Sequence, residues 1–170
     1  MLFLKTTSNF GGGRNMKLNN TRNYFTELTI SVLQEEGWET KLEEGYIIAN
    51  KNNDEERLVI YVVSNVIGLK ESSTSVAKEK PILKLKRKSE LLAGDNTPCI
   101  SYGIAKKSLT ELEVLITPVS AIEEYGYVGG EYSRASNHYH YNYMKVNENE
   151  LPKGAILRYC WSGKKLKNNK

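Results

Sequence analysis

The sequence predicts a mixed α/β domain, and three observations lead to this prediction. Apolar residues recur at helical spacing before Gly37, and an almost continuous apolar, β-branched run occupies residues 58–63. The predicted elements follow the order helix, three strands, helix, two strands, helix, which favours a mixed central sheet flanked by helices. Because 170 residues are enough for one core of ordinary size, we expect a single domain.

The first half of the chain predicts one helix and three strands. An apolar stripe indicates a helix over residues 22–36 that ends at Gly37. The stripe consists of Phe25, Leu28, Val32 and Leu33. Strands are predicted at residues 38–42, 46–51 and 57–64. The run 58–63 is typical of a central strand covered on both faces, and the turn Asn52–Glu55 has side chains that tolerate tight-turn geometry.

The second half predicts further elements after a loop. Residues 67–76 are polar and Ser-rich, so we expect a loop there. A helix is predicted from Pro81 to Gly94, with Ile82, Leu85, Ser89 and Leu92 on its inner face. The remaining predictions are strands at 99–105, 112–117 and 155–161 and a short helix at 119–125.

Composition divides the chain into four segments. Residues 1–20 contain Gly11–Gly13 and are expected to form a flexible arm. Residues 21–125 form the core, and residues 126–163 form a Tyr- and His-rich β extension of the same domain. Residues 164–170 form a basic tail.

Charge and cysteine content favour a cytoplasmic protein with no membrane partner. The formal net charge is +4 and the pI is about 8.9. The apolar run at the start is too short for a signal peptide, and no apolar run reaches the length of a membrane span. Cys99 and Cys160 are too few for a disulfide framework, and we expect both to be buried, inert thiols.

The segment from Tyr46 to Asn65, preceded by the helix, resembles the core of the restriction-endonuclease-like superfamily, whose signature is PD-(D/E)xK. In that family an Asp opens the first of two adjacent strands and Glu-x-Lys lies inside the second. The matching positions here hold Tyr46, Tyr61 and Val63. The resemblance covers residues 21–125 and concerns element order and apolar pattern rather than catalytic identity.

The resemblance implies a nuclease scaffold with a degenerate catalytic motif. In active members the two acids bind Mg²⁺, the Lys stabilises charge on the phosphate, and a helical Glu, here Glu27, assists. Tyrosine is neutral at pH 7 and valine offers no donor, so we expect a silent site with no metal and no cofactor. The alternative is an active endonuclease whose Mg²⁺ site is rearranged around Glu27 and a turn acid such as Glu56. Glu43 and Glu44 also lie near Tyr46.

Two segments are candidates for nucleic-acid binding. Six basic residues and one acid lie between Lys78 and Lys88, and helical spacing predicts that their side chains are exposed while Leu85 turns inward. In the second segment, His138 and His140 share one face of an extended strand and the tyrosines share the other. The candidates are Lys84, Lys86, Arg87, Lys88, Arg134, His138, Tyr139, His140 and Tyr141, with Arg158 nearby.

Each segment also has a simpler interpretation. The basic cluster is equally typical of a solvated helix face, and the tyrosines are equally typical of a strand that packs on the core. The histidine pair would need a third ligand to hold Zn²⁺ or Cu²⁺. His138 as a general base, as in histidine-dependent nucleases, is a further alternative.

Three functional hypotheses follow. The first is a silent nuclease-like domain that binds DNA or a protein in restriction, repair or phage–host defence. The second is an active metal-dependent endonuclease, and the third is a protein-interaction or inhibitor module on the same frame. Nuclease relatives often dimerise, so the resemblance also leaves a homodimer open.

Overall fold

The computed structural model describes residues 18–67, 74–106, 111–129, 138–142, 151–162 and 165–167. Within them the helices are α1 (Leu18–Glu35), α2 (Glu79–Leu91) and α3 (Val119–Tyr125). The strands are β1 (Glu39–Glu43), β2 (Tyr46–Lys51), β3 (Glu56–Ile67), β4 (Thr74–Lys78), β5 (Thr97–Lys106), β6 (Glu111–Pro118), β7 (Tyr127–Gly129), β8 (His138–Asn142), β9 (Leu157–Ser162) and β10 (Lys165–Lys167).

The main sheet is mixed and lies between helices, as the sequence predicts. Its strand order is β1-β2-β3-β5-β6-β9-β10. β3 and β5 pair in parallel, and the other neighbours pair antiparallel. Parallel neighbours need a crossover connection, and the chain between β3 and β5 contains α2.

The central position of β3 is confirmed. It pairs with β2 on one side and β5 on the other, and Val59 and Ile60 are both fully buried. Because successive side chains point to opposite faces, these two residues enter different cores. Ile60 packs in the core cluster formed with α1, and Val59 packs in the cluster formed with Ile82 and Leu85 of α2. The continuous apolar run therefore reflects helices on both faces.

Helix α1 lies very close to β5 because Gly103 has no side chain. A Cβ atom placed on Gly103 would lie 2.1 Å from Cγ of Phe25, which is fully buried. One turn further along α1, the hydroxyl oxygens of Thr29 and Ser101 lie 2.8 Å apart in a buried hydrogen bond. These contacts fix the position of α1 on the sheet.

The hairpin between β1 and β2 is a tight two-residue turn. Glu43 pairs with Tyr46, and the intervening Glu44 and Gly45 have φ values of 52° and 83°. Two consecutive left-handed residues define a type I′ turn, whose usual first residue is Asn, Asp or Gly. Glu44 therefore adopts a backbone conformation that is uncommon for its side chain.

The predicted loop at residues 67–76 is wrong at both ends. β3 extends to Ile67, and β4 begins at Thr74 and joins a second sheet with the order β4-β8-β7. The Ser- and Thr-containing β4 becomes a strand because β8 pairs along it, a nonlocal partner that its own pattern does not reveal. In the segment predicted as a basic tail, β10 pairs with β9. No helix in the described part of the chain is long and apolar enough to cross a membrane.

Candidate functional site

The three degenerate motif positions lie together on one face of the sheet. The register that pairs Ile47 with Ile60 brings Tyr46 opposite Tyr61, and their ring centroids are 6.0 Å apart with the planes tilted by 49°. Tyr46, Tyr61 and Val63 all pack against the core cluster that α2 covers. The strand arrangement thus brings these three positions together, and their side chains are aromatic and apolar.

An open pocket of about 260 Å³ lies at this junction. The β1–β2 turn, the start of α1, the tyrosine pair and the first turns of α2 contribute its walls. The lining residues are Arg22, Glu44, Gly45, Tyr46, Tyr61, Lys80, Pro81 and Lys84. Three cationic side chains face one carboxylate, so the pocket favours anions.

Arg22 connects α1 to the pocket wall. β2 pairs with β3 only as far as Ile60, and beyond that point Nε of Arg22 donates a hydrogen bond to the Val62 carbonyl at 3.2 Å. Its Nη2 donates to the Gly45 carbonyl at 3.4 Å, and its guanidinium carbon lies 4.4 Å from the centroid of the Tyr61 ring. This cation–π contact and the two backbone contacts hold a positive charge at the pocket. No sequence pattern indicated that Arg22 would lie at a binding site.

The cations of α2 divide into paired and unpaired residues. Lys86 forms an ion pair with Glu123. Lys88 is only 15% exposed, and its Nζ lies 2.7 Å from Oε2 of Glu44 and 3.4 Å from Oε1 of Glu43. The hydrogen bond that Lys88 donates to Glu44 is the main cause that raises the pKa of Lys88. The pKa of Glu43 is lowered, chiefly by Lys41 and then by Lys88.

The remaining cations form one stripe. Lys80, Lys84 and Arg87 are exposed and have no ion-pair partner in the described part of the chain. Steps of four and three residues place them along the same side of α2, and we call them the unpaired stripe. Two of its members line the pocket, so the stripe leads away from it along the helix.

The predicted exposure of the basic helix is therefore only partly correct. Leu85 is fully buried, and Lys84 and Arg87 are exposed, as expected. The expectation is wrong for Lys88, because the acids of the β1–β2 hairpin cover its side chain. Lys86 is partly exposed but paired. Lys80, which was not among the predicted binding residues, also belongs to the unpaired stripe.

Glu27 and Glu56, the acids predicted to form a rearranged metal site, do not line the pocket, whereas Glu44 does. Glu27 is exposed on α1. Glu56 is exposed at the start of β3, where it accepts a hydrogen bond from Nδ2 of Asn52 at 2.9 Å. Five residues of extended strand separate Glu56 from Tyr61, which is roughly 17 Å. No group of three His, Cys, Asp or Glu side chains suited to a metal occurs among the described residues.

The second candidate segment lies in the small sheet. β8 is its middle strand, and His138 pairs with Lys78 on one side and with Gly129 on the other. Arg134 lies outside the described residues.

Arg158 and Cys160 differ from expectation, whereas Cys99 agrees with it. Arg158 is buried, and its Nε lies 2.7 Å from Oε1 of Glu113, so it is not available to a nucleic acid. Cys99 is buried, and burial raises the pKa of its thiol, as an inert cysteine requires. Cys160 is only partly buried.

No family model, curated protein or solved structure matches this chain. What the pocket can bind must follow from its own side chains.

Proposed function

We propose that this chain is a catalytically silent, restriction-endonuclease-like domain that binds DNA through the pocket and the unpaired stripe. The setting would be restriction, repair or phage–host defence. The observation that carries the proposal is the cationic pocket at Tyr46 and Tyr61, two of the positions where an active nuclease holds its acids. The order of helix, three antiparallel strands, crossover helix and parallel strand supports the comparison with that scaffold.

The pocket has the charges for holding a phosphate but lacks the groups for cleaving one. In an active site of this kind, Mg²⁺ offsets the phosphate charge and helps to ionise the attacking water. Arg22, Lys80 and Lys84 supply positive charge without a metal. Arg and Lys bind phosphate through charge-assisted hydrogen bonds. The two tyrosine side chains carry no carboxylate and cannot replace the acidic ligands of a metal.

The unpaired stripe extends this charge over the length of a short DNA segment. Lys80 and Arg87 are seven residues apart on α2, which corresponds to about 10 Å along the helix axis. One DNA strand carries a phosphate every 3.4 Å or so along its axis, so this length spans about three phosphates. Three unpaired cations can therefore meet about three phosphates.

Salt-dependent DNA binding tests the proposal. Replacing Lys80, Lys84 and Arg87 with Gln should weaken binding of duplex DNA similarly for all sequences, because phosphate contacts carry no base information. Each lost phosphate contact lowers the slope of log affinity against log salt by about 0.9, so three should lower it by about 2.7. Fluorescence anisotropy over a series of salt concentrations measures both effects.

A matched control distinguishes the loss of the stripe's phosphate contacts from a general loss of positive charge. Replacing Lys41, Lys86 and Lys153 with Gln also removes three positive charges and takes the formal net charge from +4 to +1. Each of these lysines already contacts an acid or an aromatic ring. The control should keep most of the original salt slope. Equal slopes in the two triple variants would contradict binding along the stripe.

A cleavage assay tests catalytic silence. With Mg²⁺ or Mn²⁺ present, the wild-type chain should leave duplex DNA intact. Robust cleavage that is abolished by Glu27→Ala or Glu56→Ala would instead establish the rearranged endonuclease.

A protein partner is the second candidate, and two exposed leucines of α2 favour it. Leu83 and Leu91 are 55% and 78% exposed beside the unpaired stripe. Exposed apolar side chains next to arginine are typical of protein contact surfaces. A wild-type chain that binds no DNA at low salt would favour this interaction module.

A further inference from the structure

Phosphate binding accounts for the cations of the pocket but leaves its aromatic wall unexplained. Tyr46 and Tyr61 are only partly buried, and both line the pocket. A site that held phosphate alone would need no ring surface there. Arg22 also holds the aromatic wall in place, because its guanidinium lies over Tyr61 and donates hydrogen bonds to the backbone carbonyls of Val62 and Gly45.

The pocket combines three kinds of contact that a nucleotide requires. The tyrosines offer aromatic surface, and aromatic side chains stack on any base because every base has a π face. Lys80 and Lys84 offer positive charge to a phosphate. Glu44 offers an acceptor, because Lys88 engages its Oε2 and its Oε1 has no hydrogen-bond partner in the described part of the chain.

The backbone at Glu44 is a separate indication of function. Its φ of 52° suits Asn or Gly better in a type I′ turn. Residues kept in sparsely populated backbone regions often lie at binding sites. A carboxylate retained at this position lies on the rim of the pocket and can accept a hydrogen bond from an exocyclic amine, such as N4 of cytosine.

We propose that the pocket binds one unpaired nucleotide. The base packs against Tyr46 and Tyr61, its phosphate lies between Lys80 and Lys84, and Glu44 accepts from the base edge. A base inside a duplex has neighbours on both faces and cannot present one to the tyrosines. This inference rests on the proposed function, because the nucleotide would belong to a single-stranded or terminal segment of DNA held by the unpaired stripe. A free nucleotide is the other source of the same chemistry.

The volume limits the pocket to at most one nucleotide. The pocket of about 260 Å³ lies just below the range of roughly 300–1,000 Å³ typical of small-molecule sites. Lys80 and Lys84 line the pocket and Arg87 continues the unpaired stripe along α2, so a chain of further nucleotides can leave the pocket in that direction.

The test compares three DNA ligands and two variants. The ligands are single-stranded oligo-dC, single-stranded oligo-dT and a duplex whose ends are both closed by hairpins. Wild type should bind oligo-dC most tightly, and deoxycytidine monophosphate should displace it where the same concentration of inorganic phosphate does not. Tyr46→Leu should weaken single-strand binding roughly 5- to 100-fold and should weaken closed-duplex binding much less, because a paired base does not reach the ring. Tyr46→Phe keeps the ring and should retain affinity, and thermal melts check that both variants fold.

The outcomes separate this inference from the proposed function. Equal wild-type affinity for single strands and closed duplex would overturn the nucleotide pocket and leave DNA binding intact, and this comparison needs no variant. If wild type binds none of the DNA ligands but does bind deoxycytidine monophosphate, and Tyr46→Leu removes that binding, the proposed function would be contradicted. A pocket for a free nucleotide would then be supported. Absence of binding to every ligand would overturn both.

Discussion

Substituting Gly103 with Ala tests the contact that positions α1 on the sheet. The added Cβ would lie 2.1, 2.5 and 2.6 Å from three atoms of Phe25, all shorter than van der Waals contact allows. Phe25 is fully buried and cannot move into solvent. Either its ring must change rotamer inside a packed core or α1 must move away from β5.

The expected cost follows from this geometry. Overpacking a core costs about 1–3 kcal/mol, and the substitution should reach at least the upper half of that range because the contact involves the base of the ring rather than its tip. For a chain of this size each kcal/mol lowers the melting temperature by about 2–4 °C. Arg22 lies one turn before Phe25 on α1, so movement of α1 should also separate Arg22 from Tyr61 and weaken the proposed DNA binding.

Denaturant unfolding followed by circular dichroism measures the effect, with Phe25→Ala as the compensating change. Phe25→Ala alone should destabilise the chain because it removes buried apolar volume. The double variant should be more stable than the sum of the two single effects predicts, by about 0.5–3 kcal/mol, because Ala lacks the Cγ and Cδ1 atoms that lie nearest the added methyl group. Additivity within about 0.5 kcal/mol would refute the argument that Gly103 is required by Phe25.

Two other predictions concern ionisable side chains. Burial, aided by the charge of Glu27, raises the pKa of Tyr24 to about 12. Its neutral form therefore contributes stability that is complete below the ordinary tyrosine pKa of about 10 and is lost as the pH rises toward 12. The tyrosinate absorbance of wild type minus that of Tyr24→Phe should show that Tyr24 ionises at a higher pH than an ordinary tyrosine. Glu113→Ala leaves the buried Arg158 without its carboxylate and should cost about 3 kcal/mol in chemical unfolding. The double replacement Glu113→Leu with Arg158→Met should lose less stability than Glu113→Ala alone. A larger loss in the double variant would contradict the idea that an unpaired buried charge causes the destabilisation.

Local apolar patterns predicted most helices and strands, because the apolar face of each element packs against a neighbouring element that has an apolar face of its own. The strand at residues 46–51 and the helix at 119–125 have the predicted bounds, since turns or Pro118 limit both ends. β4 could not be predicted in the same way. Three of its five residues are polar or charged, and its strand conformation depends on pairing with β8, which lies far away in the chain.

The grouping of Tyr46, Tyr61 and Val63 was predictable because a short turn between two adjacent strands fixes their register. Asn52, Asn53 and Asp54 all adopt positive φ in that turn. Arg22 and Lys80 could not be assigned, because each reaches the pocket only through the packing of a helix against the sheet.

Ion pairing explains why a count of cations overstated the binding surface. The sequence presents the basic residues of α2 as equivalent, but Lys88 is covered by Glu43 and Glu44, and Lys86 is paired with Glu123. The same pairing affects the metal question. Of the acids near Tyr46, Glu44 alone lines the pocket, and one of its oxygens is engaged by Lys88. A rearranged metal site there would have to break that bridge and recruit more carboxylates among three cations. The cations that remain unpaired instead lead from the aromatic wall along α2, an arrangement suited to holding a polyanion.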